Sequence, residues 1–401
     1  MDASGLAKLL SPEGWALLSA LPPYDERNAM ALSERLRKDG FDADLVAAAL
    51  TQSRLRARAH DKLGDFADAM LFTPAGLEQA TRLVVAAQHA RRYVAAGVQR
   101  VADLTSGIGA DAMAFAGMGL RVLAVDADET TAALATVNLR AFPEAEVRHG
   151  DGLAVDLAAA GVDGVYADPA RRTAGGSRVF DPAAYAPPLD AVLALRERVP
   201  ALGLKLGPGV PHAALPADAE AQWVSVDGDV VELGLWFGPL APEGPGRSAL
   251  LLRAGGGSAL LRPGAEPARA DAGPVGGYLY EPDGAVIRAG LVAEVAAEVH
   301  GRLVDPTIAY VTSDALHATP FATAYRVLDT LPFGLKRLRA YLRERGVGTL
   351  TIKKRGTAVV PEQLRRQLDL RGTAAATVVL TRVAGQQQVL LVEPVGASAG
   401  A

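Results

Sequence analysis

Apolar residues recur at spacings of three and four through the first 95 residues (Leu32 and Leu36; Leu45, Val46, Ala49 and Leu50; Leu77, Ala80, Leu83, Val84 and Ala87). This periodicity predicts helices. Pro22-Pro23, Gly40 and Pro74 punctuate the region. Thr73-Pro74 is a helix start, because a hydroxyl N-cap and a proline in the first turn satisfy or remove orphan amides. At residue 98 the period changes. Strands are predicted over 98–104, 121–126, 145–149, 164–168 and 201–206, with helices over 111–118, 129–139 and 184–198 between them. Strands alternating with helices at this interval give a parallel sheet covered on both faces. Two further strands, 221–226 and 230–237, are joined by Asp227-Gly228-Asp229, a hairpin signal, and are expected to form the antiparallel end of the sheet.

The pattern then loosens into Pro239-Leu240-Ala241-Pro242-Glu243-Gly244-Pro245-Gly246, which reads as a linker. Beyond it, strands are predicted over 249–253, 258–262, 278–281, 309–312, 349–353, 375–382 and 387–393, and helices over 291–299, 332–345 and 361–368. The expected organisation is a helical N-terminal region (1–95), an α/β Rossmann-like domain (96–240) and a separate C-terminal α+β domain (247–395).

Composition narrows the chemistry. The 401 residues are 50% hydrophobic and 21% charged, enough to bury a large core. With no cysteine, the chain can have no disulfide, zinc-thiolate or iron-sulfur site and no thiol nucleophile. Its six histidines are scattered and never fall at HxxxH spacing, so no metal site is expected. The N-terminus lacks a basic segment ahead of a clean apolar run, and nowhere do about 18 apolar residues follow one another, so neither a signal peptide nor a membrane helix is expected. A cytoplasmic location follows as the expectation. The net charge of −4 conceals an asymmetry: residues 326–372 hold twelve Lys/Arg against four acids, a local +8, leaving −12 for the rest. A positive segment on a negative body is a candidate surface for anionic ligands, although solvated helix faces would give the same count.

Residues 101–112, VADLTSGIGADA, carry the most chemistry. A strand ends on Asp103, and Gly107 and Gly109 let the backbone approach a ligand at the carboxyl edge of the sheet, where open α/β folds bind cofactors. Asp126 stands 23 residues after Asp103 at the end of the next strand, placed to accept both hydroxyls of a ribose, and Asp151 ends the third strand region, placed to accept from an adenine amino group. The glycine turn is a poor dinucleotide fingerprint, since Ala112 stands where G-x-G-x-x-G wants its last glycine, and no GxxxxGK[ST] occurs.

The D-x-x-x-G-x-G run resembles motif I of the class I S-adenosylmethionine-dependent methyltransferases. That resemblance implies S-adenosyl-L-methionine as cofactor. It places the methionine part against Asp103, Thr105, Gly107 and Gly109, the ribose on Asp126 and the adenine on Asp151. Asp168-Pro169 matches the first half of the (D/N)-P-P-(F/Y/W) motif of amino-group methyltransferases, which gives these two the catalytic role of holding the target amine; Ala170 and Arg171 depart from the motif. Arg171 and Arg172 could instead clamp a phosphate. Phe72-Thr73-Pro74 and the helix after it resemble the segment before motif I in the trimethylguanosine-synthase-like branch, where the Thr-Pro turn, here Thr73, closes over the cofactor. The C-terminal segment, with Leu331 to Lys336 and Thr351-Ile352-Lys353-Lys354-Arg355-Gly356, is similar to the THUMP-like domain of bacterial members of that group. Together these imply methylation of a base amino nitrogen in structured RNA, with Lys353, Lys354 and Arg355 among the RNA contacts. A small-molecule methyltransferase, or a cofactor-binding RNA-interaction protein without catalysis, remain the alternatives. Oligomeric state is not legible.

Overall fold

The structure, a computed structural model, describes residues 3–171 and 184–395. Residues 3–95 carry α1 (Ala3–Leu10), α2 (Pro12–Ala20), α3 (Ala29–Lys38), α4 (Ala43–Leu63), α5 (Pro74–Gln79) and α6 (Leu83–Ala95). The predicted start of α5 is realised: Thr73 Oγ1 accepts from the Gly76 amide at 2.9 Å, with Pro74 in the first turn. Alternation follows with β1 (Arg100–Asp103), α7 (Ala110–Gly117), β2 (Arg121–Asp126), α8 (Glu129–Asn138), β3 (Ala145–His149) and β4 (Gly164–Ala167). A short pair, β5 (Ala170–Arg171) and β6 (Tyr185–Ala186), precedes α9 (Leu189–Ala194), β7 (Leu202–Leu206), β8 (Glu220–Val226) and β9 (Asp229–Trp236).

The helix predicted from residue 184 begins only at Leu189. Pro187 and Pro188 lack amide donors and disfavour helical geometry in the residues before them, so Tyr185–Ala186 stays extended and pairs with Ala170–Arg171. The hairpin between β8 and β9 forms as predicted, Asp227 and Gly228 both taking positive φ (50° and 92°).

β1 runs parallel to both β2 and β4, β2 parallel to β3, and β4 parallel to β7. The carboxyl ends of these five strands therefore share one edge. β10 (Gly246–Leu252) and β11 (Ser258–Leu261) complete a nine-stranded sheet of order β11-β10-β8-β9-β7-β4-β1-β2-β3. β10 follows directly on the Pro- and Gly-rich stretch and pairs antiparallel with β11.

The chain divides into two compact units. One runs through Leu206 and takes in Val210–Glu220 and Gly234–Pro245; the other takes in Ala221–Leu233 and everything from Gly246 onward. In the first, α4, α6 and α7 and the inner strands share a core holding Tyr93, Phe115, Tyr166 and Trp236. Tyr93 lies against glycines: its hydroxyl donates to the Val165 carbonyl at 2.6 Å, and a Cβ on Gly203 would stand 2.5 Å from that hydroxyl and 2.6 Å from the Trp236 ring.

The second unit contains a seven-stranded sheet of order β13-β14-β12-β15-β18-β17-β16, made from β12 (Tyr278–Pro282), β13 (Arg302–Asp305), β14 (Ile308–Ser313), β15 (Ala322–Pro332), β16 (Val347–Lys354), β17 (Ala374–Val383) and β18 (Gln386–Pro394). Its helices are α10 (Gly284–Ala289), α11 (Val292–Glu298), α12 (Leu335–Glu344) and α13 (Pro361–Leu368). The sequence pattern missed β13 and β15. β15 alternates burial along its length around a single fully buried aromatic, Tyr325, and it absorbs Pro332, so the helix expected from 332 starts at Leu335. α12 and α13 cover one face through Leu338, Leu342, Leu364 and Leu368. Among the described residues no helix is long and apolar enough to cross a membrane.

Gly203→Ala tests the packing of Tyr93 and Trp236 on the sheet. Overpacking of this kind costs about 1–3 kcal/mol, and a lower urea midpoint with unchanged slope is the expected result.

Candidate active site

The shared strand edge opens on a cavity of about 600 Å³, within the usual range for small-ligand sites. Its lining includes Thr73, Thr105, Gly107, Asp126, Asp151 and Asp168, brought together from the α5 turn and the ends of β1, β2, β3 and β4. Gly109, Asp103 and Pro169 lie just outside the lining. Gly109 N-caps α7 with φ 91°, a left-handed conformation that suits glycine, and a Cβ there would press on Leu139 at 3.3 Å. Pro169 is buried beside Asp168. Arg171 belongs to β5, and Arg172 lies outside the described residues.

The glycine turn is held by the acid of the next strand. Asp126 accepts from the Gly107 amide through Oδ2 and from the Asp128 amide through Oδ1, both at 2.9 Å. Burial raises its pKa above the ordinary carboxylate value, against the pull of those two amides. Asp151 accepts from the Leu153 amide at 2.9 Å and is exposed. Thr105 accepts from the Asp168 amide at 2.6 Å, tying the end of β4 to the turn after β1.

Asp103 is 1% exposed. Its Oδ1 accepts from the Thr105 amide at 3.3 Å, and its Oδ2 is buried with no hydrogen-bond partner among the described residues. Burial pushes its pKa well above the usual range, and the nearby Asp111 charge adds to this.

Sequence reasoning missed a row of largely buried groups beside Asp168. Lys205 sits in a strand otherwise apolar, LGLKL, and one step beyond the Ala167–Leu204 pairing it faces Asp168. Its Nζ stands 2.5 Å from Asp168 Oδ2 and donates to Thr81 Oγ1 at 2.7 Å. Thr81 in turn donates to Asp111 Oδ2 at 2.6 Å, and Asp111 Oδ1 lies 2.8 Å from His89 Nδ1. Burial would raise the Asp111 pKa, but the His89 hydrogen bond and charge, with Lys205 and Thr81, hold it below the ordinary value. The signals were present in the sequence as a lone cation in an apolar strand and an acid in the first turn of a helix.

Among the described lining residues, Asp111, Asp126, Asp128, Asp151 and Asp168 face a single cation, Lys205. A polyphosphate would be repelled here; a ligand that carries a sulfonium and an ammonium fits. The comparisons with known proteins agree. A Mycobacterium tuberculosis protein described as an uncharacterized S-adenosylmethionine-dependent methyltransferase, found in strains CDC 1551 and H37Rv, is 36% identical over 348 residues, covering 82% of this chain and 90% of that one. The chain belongs to the S-adenosylmethionine-dependent methyltransferases. Its cofactor is S-adenosyl-L-methionine.

Within this methyltransferase, residues 322–394 match the THUMP domain-like family and residues 2–59 match a domain of unknown function (DUF8688). A solved Porphyromonas gingivalis W83 protein assigned as a methyltransferase superposes with a TM-score of 0.72 at 21% identity, covering 92% of this chain and 99% of that one, which agrees with the fold.

The three cations expected as an RNA patch do not share a face. Lys353 Nζ pairs with Glu281 Oε2 at 2.6 Å, which raises its pKa despite burial. Lys354, on the opposite side of the pleat, donates to the Val359 carbonyl, and the Arg355 guanidinium lies 5.2 Å over the Tyr310 ring. Within residues 326–372, the exposed cations with no partner among the described residues are instead Arg326, Lys336, Arg337 and Arg366.

Two measurements probe the cofactor end. Asp126→Ala is expected to weaken S-adenosylhomocysteine binding by about 1.5–3 kcal/mol for each charged hydrogen bond lost, read by calorimetry. For Asp103, the folded pKa lies above the unfolded value, so its contribution to stability is complete below the unfolded pKa and is lost as pH rises through the folded one. Asp103→Asn removes that loss. As pH rises above the ordinary carboxylate pKa of about 4, the variant should gain stability relative to the wild type in urea unfolding, while its cofactor affinity falls.

Proposed function

We propose that this methyltransferase acts in the cytoplasm on structured RNA and transfers the methyl group to an exocyclic amino nitrogen of a base. The observation that carries the RNA assignment is the match of residues 322–394 to the THUMP domain-like family. The basic outer faces of α12 and α13, which carry Lys336, Arg337 and Arg366, support it. Asp168-Pro169 at the end of β4 supports nitrogen as the target.

In this reading Asp103, Thr105, Gly107, Gly109, Asp126 and Asp151 hold the cofactor, and Thr73 closes over it from the start of α5. The bound cofactor supplies a methyl group already activated by its sulfonium. The protein's task is then to hold a nitrogen lone pair in line with that methyl. Asp168, paired through Oδ2 with Lys205, is the group that accepts an amine N–H of the acceptor. The adjacent proline fixes the backbone so that a carbonyl can take the second N–H. The surplus proton left on the acceptor nitrogen after transfer would pass to solvent. No strong base is needed.

Labelled-methyl transfer into the RNA, protein and small-molecule fractions of a lysate from cells lacking the protein tests the assignment. Label in RNA is expected; label confined to small molecules would replace the RNA reading. RNA affinity should also fall with salt. Changing Lys336, Arg337 and Arg366 together to Gln should make the slope of log affinity against log salt shallower by about 2, at roughly 0.7 per phosphate contact, with cofactor affinity unchanged.

A further inference from the structure

We infer that Lys62 is a positioning residue for the cofactor site: from the end of α4 it pins the carboxyl end of α5 and so holds that short helix over the cavity. The inference rests on the reading of α5, with Thr73 at its start, as the segment that closes over the cofactor.

α5 has only six residues. A helix of that length does not hold its shape alone in water, and the carbonyls of its last turn have no partners within it. Leu77 is its one buried residue, so apolar burial ties it down at a single point. Yet Ala75, Gly76 and Gln79, with Thr73 before them and Ala80 after, line the cavity. Gly76 lets the helix lie close to the glycine turn, since a Cβ there would stand 2.7 Å from the Ile108 side chain.

The chain leading into α5 is fixed by two side-chain amides. Gln52 of α4 donates to the Phe72 carbonyl at 2.7 Å and accepts from the Phe72 amide at 2.9 Å; Asn138 of α8 does the same for Leu71, at 3.0 and 2.7 Å. At the far end of α5 the restraint is Lys62. Its Nζ donates to the carbonyls of Leu77 at 2.8 Å, of Glu78, and of Ala80 at 3.1 Å. An ammonium has three donors, and here all three converge on one helix end, where the charge also meets the negative end of the helix dipole. Burial, with the Arg82 and Lys205 charges, lowers the Lys62 pKa, so holding the ammonium here has a cost that the carbonyls must offset. Lys62 does not itself line the cavity, so its effect on the cofactor passes through α5.

A lysine that merely stabilises the fold is the competing explanation. Lys62→Met keeps the stem against α4 and removes the donors. If α5 is then docked for about a tenth of the time, the calorimetric Kd of the full chain for S-adenosylhomocysteine rises about tenfold (about 1.4 kcal/mol). Amide exchange across residues 75–80 should quicken in the free variant, because local opening of this segment becomes easier. Lys62→Gln, shorter and with two donors in place of three, is the second variant should methionine disturb the packing, and the same weakening is expected. Lys62→Arg can still donate to carbonyls at a helix end and should bind within about threefold of the wild type.

A Kd within about threefold of the wild type in the methionine and glutamine variants would overturn the inference, even beside a lower urea midpoint, since that pattern belongs to a lysine that only stabilises the fold. An arginine variant as weak as the methionine one would overturn it too. The reading of α5 as the cover is tested separately: S-adenosylhomocysteine should slow exchange across residues 75–80 of the wild type, and exchange unaltered by the ligand would remove that reading. Protection in the wild type beside an unchanged Kd in Lys62→Met would discard Lys62 alone.

Discussion

Parallel pairing of β1 with β2 and β4, extended outward to β3 and β7, is the constraint on which the site depends. In a parallel ladder the strands end at a common edge, so residues separated by up to a hundred positions arrive there together. Asp103, Asp126, Asp151, Asp168 and Lys205 are each the last residue of a strand or within two of it. A shift of one residue between β4 and β7 would turn Lys205 to the other face and separate it from Asp168. The register is held from the apolar side, where Tyr93 reaches the Val165 carbonyl across glycines at 164 and 203.

The same edge concentrates negative charge, and that has a cost. Five carboxylates line one cavity and a sixth is buried beneath it. The structure relieves this in three ways: backbone amides bind Asp126 and Asp151, Lys205 pairs with Asp168 while His89 hydrogen-bonds Asp111, and Asp103 is pushed toward its protonated form. An acidic cavity is thus maintained by local hydrogen bonding in a chain whose overall charge is only −4.

In the second unit, most cations of the +8 segment are already engaged. Arg339 donates to the Gln367 carbonyl, Arg365 to the Leu350 carbonyl, Lys353 pairs with Glu281, and Arg343 and Arg371 flank Asp369. These contacts tie α12 and α13 to each other and to the sheet. The positive charge left for a partner is a smaller set on the outer faces of the two helices.

The sequence by itself determined the alternating α/β core, the glycine turn and the acids that follow each strand, because these are local: period, turn chemistry and strand ends are written in neighbouring residues. The start of α5 at Thr73 and the Asp227-Gly228 hairpin were legible for the same reason. The tertiary structure decided what depends on partners far along the chain. Lys205 is one cation in an apolar strand until register sets it beside Asp168, and Asp111 is an ordinary first-turn acid until Thr81 and His89 close on it. Lys353 looked like a surface charge because its partner, Glu281, lies 72 residues away.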